Sequence, residues 1–374
     1  MFFFAVFFTL YGLLHLYFYI KAARAFKCNP LFKGLLALWL AVMTAAPIFI
    51  RLLEKGGYEL PARVLSYAGY IWMGFIFLFV SAGLLVDLFC LVKKFITHSA
   101  EGKRCRAAYN FFIPAAIACI VSIYGYFDAL DIRIERIEIA SDKIPASAGV
   151  FKVAQISDVH LGLIVREQRL SKIITILEAE NPDIIVSTGD LVDGQMYSMN
   201  HLSHMLKSLK PVYGKFAVTG NHEYYAGIKQ AVAFTEDSGF KMLRNQSSDI
   251  SSFLSVAGVE DPVSGIARDA LINSEKELLH SLPSERFRIL LKHRPLVNES
   301  SDGLFDLQLS GHTHNGQMFP FTCLTKLYYA KDSGLVKTKN YTLYINRGAG
   351  TWGPPIRFLA PPEITVFEIS GRSE

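Results

Sequence analysis

The stretch DLQLSGHTHNGQ, residues 306–317, joins a short apolar run to a glycine-marked turn that carries two histidines. The run has the length and composition of a β-strand, and the turn starts near Gly311. Side chains at positions i and i+2 of an extended turn can point to different places, and His312 and His314 have this spacing. Gly311 would let the turn approach a neighbouring backbone closely. The stretch therefore predicts a strand whose end presents two imidazoles.

The same pattern of an apolar run followed by a polar turn occurs four more times. The runs are FKVAQISDVH (151–160), DIIVSTGD (183–190), KFAVTGNHE (215–223) and FRILLKH (287–293). Such nearly continuous apolar strands are typical of sheets that are buried on both faces, so helices or a second sheet must cover them. This part of the chain is therefore predicted to have a layered α/β fold.

One covering helix can be recognised from its periodicity. Within residues 166–180 the apolar side chains fall at i, i+3, i+4 and i+7, which is the stripe of an amphipathic helix: Leu170, Ile173, Ile174 and Leu177. Similar helices are expected near residues 199–209, 225–238 and 269–282. The strand DIRIERIEIA at 131–140 changes the phase of its isoleucines halfway, which predicts a β-bulge.

Potential metal ligands follow the ends of all five runs. They are Asp158, His160, Asp190, Asn221, His293, His312 and His314, with His222 beside Asn221. In layered α/β folds, loops that leave neighbouring strands converge in the crevice beyond the carboxyl ends of those strands. Five loops would then direct their side chains to one point. Each motif alone would more often be turn chemistry, whereas the ordered set predicts a metal site.

The donor types narrow the choice of metal. Imidazole, carboxylate and one amide oxygen, without a thiolate, suit Mn²⁺, Fe²⁺ or Zn²⁺. Seven ligands are too many for one four-coordinate ion. Two divalent ions that share a carboxylate are therefore expected.

The first third of the chain differs in composition. The whole sequence is 51% hydrophobic with a mean hydropathy of +0.28, and four stretches lack Asp, Glu, Lys and Arg: 1–20, 34–50, 64–86 and 107–127. About 20 apolar residues cross a bilayer, so we predict a membrane domain of four transmembrane helices at 1–130 and a second domain at 131–374. A cleaved signal peptide at the start is disfavoured, because no basic residue precedes the apolar run.

Basic residues in the loops bear on orientation. The loops after the first and third spans contain Lys21, Arg24, Lys27, Lys33, Lys93, Lys94, Lys103, Arg104 and Arg106, more than the opposite side carries. The positive-inside rule then favours a cell (inner) membrane protein whose second domain lies outside the cytoplasm. The net charge of +5 fits contact with membrane lipids, and no basic-aromatic pattern indicates nucleic acid.

The motifs DVH, GDLVD, GNHE, KHRP and GHTH, in this order, resemble the calcineurin-like metallophosphoesterases, close to the bacterial membrane-associated YkuE/YaeI-like branch. The resemblance covers about residues 131–374 and includes the tail RGAGTWGPPIRFLAPPEITVFEI. It implies an αββα four-layer sandwich. It also implies one ion at Asp158, His160 and His314, a second at Asn221, His293 and His312, and a bridging Asp190. Asn315 stands where this branch usually has Gly, a substitution that a turn with positive φ tolerates.

The resemblance also implies catalytic roles. A metal-bound hydroxide is the expected nucleophile, and His222 is the expected catalytic histidine outside the ligand set, because a leaving alkoxide needs a proton. Asp193 is similar to the acidic residue that orients this histidine in related phosphatases, although it could instead cap a turn. Glu223 could support Asn221 or cap the following helix.

The substrate class is less constrained. Protein phosphatases of the family have an Arg after the acidic residue, whereas Gly194 stands here. We expect hydrolysis of a phosphodiester or pyrophosphate in a phosphoester substrate that is lipid-linked or belongs to the cell envelope. One alternative is a UDP-2,3-diacylglucosamine-type lipid pyrophosphatase that faces the cytoplasm, as in a related branch. A non-catalytic membrane receptor or scaffold with a structural metal site is the other.

Overall fold

The computed structural model describes residues 2–26, 29–97, 107–194 and 199–372. The chain forms two compact units, one of Met1–Phe127 with Gly353–Ile356 and one of Asp128–Trp352 with Arg357–Glu374. The loop residues Lys27, Lys103, Arg104 and Arg106 lie outside the described residues, as does the first position of the predicted span 1–20.

Four helices form the first unit. They are α1 (Phe2–Ala25), α2 (Pro30–Lys55), α3 (Glu59–Thr97) and α4 (Tyr109–Leu130), and all four are long and apolar enough to cross a membrane. Each predicted span overlaps one of them. With a rise of about 1.5 Å per residue, the 39 residues of α3 are longer than a bilayer core requires.

Several polar side chains within this unit bond to one another or to a backbone carbonyl. Lys21 on α1 forms an ion pair with Asp87 on α3, and Tyr17 Oη donates to Asp87 Oδ2 at 2.7 Å. His15 is buried; Trp72 Nε1 donates to its Nε2 at 3.0 Å, and its Nδ1 lies 2.8 Å from the Tyr11 carbonyl oxygen. An indole N–H can only donate, so the imidazole accepts at one nitrogen and donates at the other, as a neutral histidine does.

The second unit contains two six-stranded sheets. In chain order its strands are β1 (Arg133–Ala140), β2 (Phe151–Ile156), β3 (Ile184–Ser187), β4 (Lys215–Ala217), β5 (Lys241–Met242), β6 (Gln246–Asp249), β7 (Leu254–Gly258), β8 (Phe287–Leu291), β9 (Leu307–Ser310), β10 (Gly334–Lys337), β11 (Thr342–Ile345) and β12 (Glu363–Ser370). The sheet orders are β1-β12-β2-β3-β4-β5 and β10-β11-β9-β8-β7-β6. All five predicted runs are strands, and each lies parallel to a neighbour.

Helices cover the outer face of each sheet. They are α5 (Glu167–Glu180), α6 (Asn200–Lys207), α7 (Asn221–Ala226) and α8 (Ile228–Asp237) on the first sheet and α9 (Arg268–His280) on the second. A further helix, α10 (Phe321–Tyr328), follows the turn after β9. The predicted stripe of α5 is buried against the first sheet, α9 packs on the second through Leu279, and a further core including Val186 and Ile289 lies between the sheets. The predicted four-layer αββα architecture is confirmed.

The predicted bulge in β1 is wrong. Its eight residues pair one to one with β12, from Arg133 opposite Glu363 to Ala140 opposite Ser370. The change of phase has another cause. Ile132, just before the strand, packs on the core beneath the helices, whereas Ile137 and Ile139 pack on the core between the sheets. The isoleucines before and after the change of phase therefore lie on opposite faces of a regular strand.

Candidate metal centre

The predicted ligand residues lie on loops that leave the carboxyl ends of β2, β3, β4, β8 and β9. Left-handed backbone is common in these loops, because φ is positive at Asp158, His160, Asp190, His312 and His314. The turn after β9 is therefore not extended, as the sequence suggested, but left-handed at both histidines. Asn315 also has positive φ, at 49°, so the expectation that asparagine would be tolerated there is confirmed. Such strained conformations persist where surrounding structure imposes them.

A first cluster consists of Asp158, His160 and His314, all buried, with their ligand atoms within 4.8 Å of one another. His160 Nε2 lies 3.1 Å from His314 Nε2, which in turn lies 3.3 Å from Asp158 Oδ1. Backbone amides hold the carboxylate from the other side, because His312 N donates to both Asp158 oxygens. Two imidazole nitrogens and a carboxylate oxygen thus face one point.

A second cluster consists of Asp190, His293 and His312. His293 Nε2 lies 3.2 Å from Asp190 Oδ2, 3.1 Å from His312 Nδ1 and 3.3 Å from Asn221 Oδ1. The other ring nitrogen of His293 lies 2.8 Å from the Thr188 carbonyl oxygen, which orients Nδ1–H outward and leaves Nε2 for the cluster. The amide oxygen of Asn221 completes a four-donor set.

Asp190 connects the two clusters. Its Oδ2 atom also lies 3.9 Å from His160 Nε2 of the first cluster, while Oδ1 accepts a hydrogen bond from His222 N at 2.8 Å. The described donors are nitrogen and oxygen atoms of the types that bind borderline divalent cations, and their residues are buried except for the partly buried His312. The residues therefore fit a metal pair. Their assignment as ligands stays a prediction.

Gly311 is one of the positions at which the loops of the site meet only because a side chain is absent. A Cβ atom on Gly311 would lie 1.9 Å from Ser157 Oγ and 2.2 Å from Asp158 Oδ2. The close approach predicted for Gly311 is thus present, and it brings the histidine turn onto the loop after β2.

Glu223 has a role that neither sequence alternative described fully. Its buried carboxylate accepts from Gly220 N at the start of α7, and also from Asp190 N at 3.0 Å and Leu191 N at 2.8 Å. It therefore caps its own helix and fixes the loop that carries Asp190. Burial, followed by the nearby Asp190 charge, raises the pKa of Glu223.

His222 and Asp193 lie beside the first cluster and form a third group with His160. His222 Nδ1 lies 2.7 Å from Asp193 Oδ1, and the same oxygen lies 3.4 Å from His160 Nδ1. Burial opposes the charged imidazole, but Asp190 and Asp193 outweigh it and raise the pKa of His222 to about 9. His222 therefore holds a proton at neutral pH. This contact is compatible with the orienting role expected for Asp193, which stays a prediction.

The pKa values of the two histidines in the second cluster are shifted in opposite directions. Burial lowers the pKa of His293, but the Asp190 carboxylate outweighs it and raises that pKa to about 10. Burial and the neighbouring His293 charge lower the pKa of His312 to about 3. A bound metal requires neutral imidazole, so cation binding at His293 must displace a proton.

Residues 151–316 match the sequence profile described as calcineurin-like phosphoesterase. A metallophosphoesterase of Aquifex aeolicus is 37% identical over 259 residues, which cover 68% of this chain and 98% of that protein. The chain belongs to the calcineurin-like metallophosphoesterases. Membership indicates a metal-dependent phosphoesterase, and it confirms the resemblance seen in the motifs.

Two further relatives place this metallophosphoesterase in its family. The metallophosphoesterase YkuE of Bacillus subtilis is 35% identical over 263 residues, with 66% of this chain and 89% of that protein covered. A Danio rerio protein named transmembrane protein with metallophosphoesterase domain is 29% identical over 290 residues, with 73% of this chain and 66% of that protein covered. Together with the four apolar helices, this similarity indicates a membrane protein.

The metallophosphoesterase site has an aromatic flank. The rings of Tyr225 and Trp352 lie 5.3 Å and 5.9 Å from the His222 ring, and both residues are about half exposed. On the side of the second cluster, the buried Tyr329 ring lies 6.1 Å from His312. Apolar surface therefore borders the histidine that holds a proton.

Arg357 supports the site from behind, and sequence reasoning missed it. Its guanidinium is fully buried and donates to the carbonyl oxygens of His314, Gly348 and Gly350, among others. Its Nη2 atom also lies 3.2 Å from His314 Nδ1. Its position in the tail motif was visible, but a side chain that binds backbone carbonyls has no sequence signature.

Proposed function

We propose that the protein is a multi-pass membrane phosphodiesterase or pyrophosphatase that uses two divalent metal ions on a lipid or cell-envelope substrate. The observation that carries the proposal is the position of Asp190 Oδ2 between the two clusters, 3.2 Å from His293 and 3.9 Å from His160. One carboxylate that reaches both donor sets is what a pair of ions would share.

The two donor sets would hold Mn²⁺, Fe²⁺ or Zn²⁺. When bound, such ions supply Lewis acidity and a water of lowered pKa for attack on phosphorus. Asp158, His160 and His314 would bind one ion, and Asn221, His293 and His312 the other, with Asp190 common to both. The backbone bonds to Asp158 and the Thr188 contact of His293 keep these donors in place.

His222 would supply the proton that the leaving oxygen needs. The Asp193 carboxylate contacts Nδ1 and fixes the ring, which leaves Nε2 as the nitrogen that can donate. A raised pKa keeps His222 protonated near neutral pH. Asp193 is then a positioning residue, because it acts through the imidazole.

Three features support a lipid or envelope substrate. Gly194 follows Asp193, so this position has no guanidinium for a phosphoprotein. Tyr225 and Trp352 give the side of His222 an apolar surface. The domain follows, in the chain, four helices that are long and apolar enough to cross a membrane. The charge of the loops favours an extracytoplasmic catalytic domain in the cell (inner) membrane.

The test is hydrolysis of bis-p-nitrophenyl phosphate and p-nitrophenyl phosphate by the full-length protein in detergent, stripped of metal and then given Mn²⁺. Cleavage of the diester that returns with metal supports the proposal. Asp190→Ala should remove it, whereas Asp306→Ala, a carboxylate at the opposite end of β9 that binds Lys143, should keep it. If metal binds and neither ester is cleaved, the receptor or scaffold alternative is favoured.

Orientation is tested separately with Val212→Cys, since Val212 is 81% exposed in the second unit. A membrane-impermeant maleimide should label this cysteine in intact cells, above the level of the unsubstituted protein. Labelling only after permeabilisation would reverse the proposed orientation and would favour a cytoplasmic pyrophosphatase.

A further inference from the structure

Helix α10 presents an apolar face to the outside of the second unit. Leu327 is 84% exposed and Tyr328 73% exposed, and Phe319, Phe321 and Leu324 are each more than 40% exposed. No other run of ten described residues in this unit exposes as many large apolar side chains. Contiguous exposed apolar surface marks a site of interaction, whereas isolated exposed residues need no explanation. We call these five residues the α10 face.

The α10 face is held in its exposed position by the opposite side of the helix. Thr325 Oγ1 donates to Asp332 Oδ2 at 2.9 Å, and Thr313 Oγ1 on the histidine turn donates to the Asp332 carbonyl oxygen at 2.6 Å. The backbone of Thr322 lies so close to Gly316 that a Cβ there would approach within 2.5 Å. The helix is therefore fixed to the turn that carries His312 and His314, and its apolar residues cannot turn inward.

The exposed charged side chains in the segment that contains the α10 face all have one sign. Between residues 319 and 340 they are the lysines Lys326, Lys331, Lys337 and Lys339. The acidic residue of this segment, Asp332, is 3% exposed and is used in the bonds described above. An apolar helix face bordered by lysines is the composition of a helix that lies in the interface of an anionic bilayer.

The connection to α4 also favours a bilayer as the partner. Helix α4, which is long and apolar enough to cross a membrane, ends at Leu130, and β1 starts at Arg133, so two residues of chain separate them. We propose that the α10 face is an interfacial membrane-binding surface that takes an anionic lipid bilayer. Docking would place the histidine turn at headgroup depth. This surface is independent of the proposed hydrolysis and would exist even if the site cleaved no lipid.

The experiment uses the full-length protein in nanodiscs that contain phosphatidylglycerol and lipids brominated in the upper acyl chain. An environment-sensitive fluorescent amino acid replaces either Leu327 or Val212, which are 84% and 81% exposed and so are matched positions. An interfacial helix buries its apolar face by about 5–10 Å, within reach of the bromine atoms. The probe at position 327 should lose most of its fluorescence, and the probe at position 212 should keep it.

Two lysine substitutions test whether the lysines attract the anionic lipid. The combination of Lys326→Gln and Lys331→Gln should reduce quenching at position 327 in anionic nanodiscs, with a smaller effect in neutral ones. Equal quenching at positions 327 and 212, or none at either, would overturn the proposal. Energy transfer between two copies labelled at position 327, without quenching by lipid, would assign the face to self-association and would also overturn it.

Discussion

The apolar helices and the strand ends that carry the clusters treat polar groups in opposite ways. Among the apolar helices, Lys21 is matched with Asp87, and His15 is matched with Trp72 and the Tyr11 carbonyl. At the strand ends, carboxylates and imidazoles converge, with pairs of histidine nitrogens 3.1 Å apart. Matched groups cancel one another's cost of burial, whereas converging acceptors need a cation to do so. Burial of charge alone therefore does not identify a functional site; the arrangement of the partners does.

Replacement of Asp190 tests this contrast most strongly. Asp190→Ala removes the donor that reaches both clusters, so hydrolysis by the metal-loaded protein should fall by about 10³-fold or more. Metal binding should fall from two ions to one or none, measured by elemental analysis after gel filtration. If the variant keeps two ions and normal activity, Asp190 does not connect the clusters.

Asp193→Asn should have the next largest effect, a fall in kcat of about 10²-fold, measured at saturating Mn²⁺ because Asp193 also contacts His160. A general acid works below its pKa, and the Asp193 charge contributes to the raised pKa of His222. Loss of that charge lowers the pKa, so the alkaline limb of the pH profile should move to lower pH. An unmoved limb would mean that Asp193 caps a turn and does not act through His222.

Arg357→Lys should weaken metal binding by about 10–100-fold, the usual cost of losing a partner of a metal ligand. A lysine has three donors in place of five and cannot hold the same carbonyl oxygens. Calorimetric titration with Mn²⁺ measures the change. Arg288→Lys is the matched control, because Arg288 is also a buried arginine that donates to a carbonyl, that of Gly303, in the second sheet.

The smallest effect on catalysis is expected within the apolar helices. Lys21→Met leaves Asp87 without its cation and should cost about 2–3 kcal/mol of stability, with hydrolysis per folded molecule unchanged. The double variant Lys21→Met and Asp87→Leu should recover most of the loss, because it removes both charges. Thermal unfolding in detergent measures this cycle. If the double variant is no more stable than Lys21→Met, the pair does more than cancel charge.

The strands and the polar side chains that meet at their ends could be predicted because their signals are local. The run that forms β9 and the turn with His312 and His314 are adjacent in the chain, so one short window contains both. The spacing of Leu170, Ile173 and Leu177 likewise reports the buried side of α5 directly. When several such segments follow one another in one domain, their turns are expected to meet in a single crevice.

Features that depend on distant partners could not be predicted in this way. The phase change in β1 looked like a bulge, because the sequence does not show that Ile132 and Ile137 face different cores. The left-handed backbone of the histidine turn and the role of Arg357 arise from contacts with loops far along the chain. The α10 face gave no signal, since its residues have the composition of an ordinary packed helix.

The position of β12 has a consequence for biosynthesis. This strand, Glu363–Ser370, lies between β1 and β2 and pairs with both, so it joins the first strand of the domain to the rest of its sheet. A ribosome makes β1 more than 200 residues before β12. Until then β1 has no neighbour within its sheet, and a nascent chain that stalls before residue 363 leaves two strand edges open to aggregation. Synthesis of β12, not emergence of the candidate metal-ligand loops, is therefore the step that closes the domain.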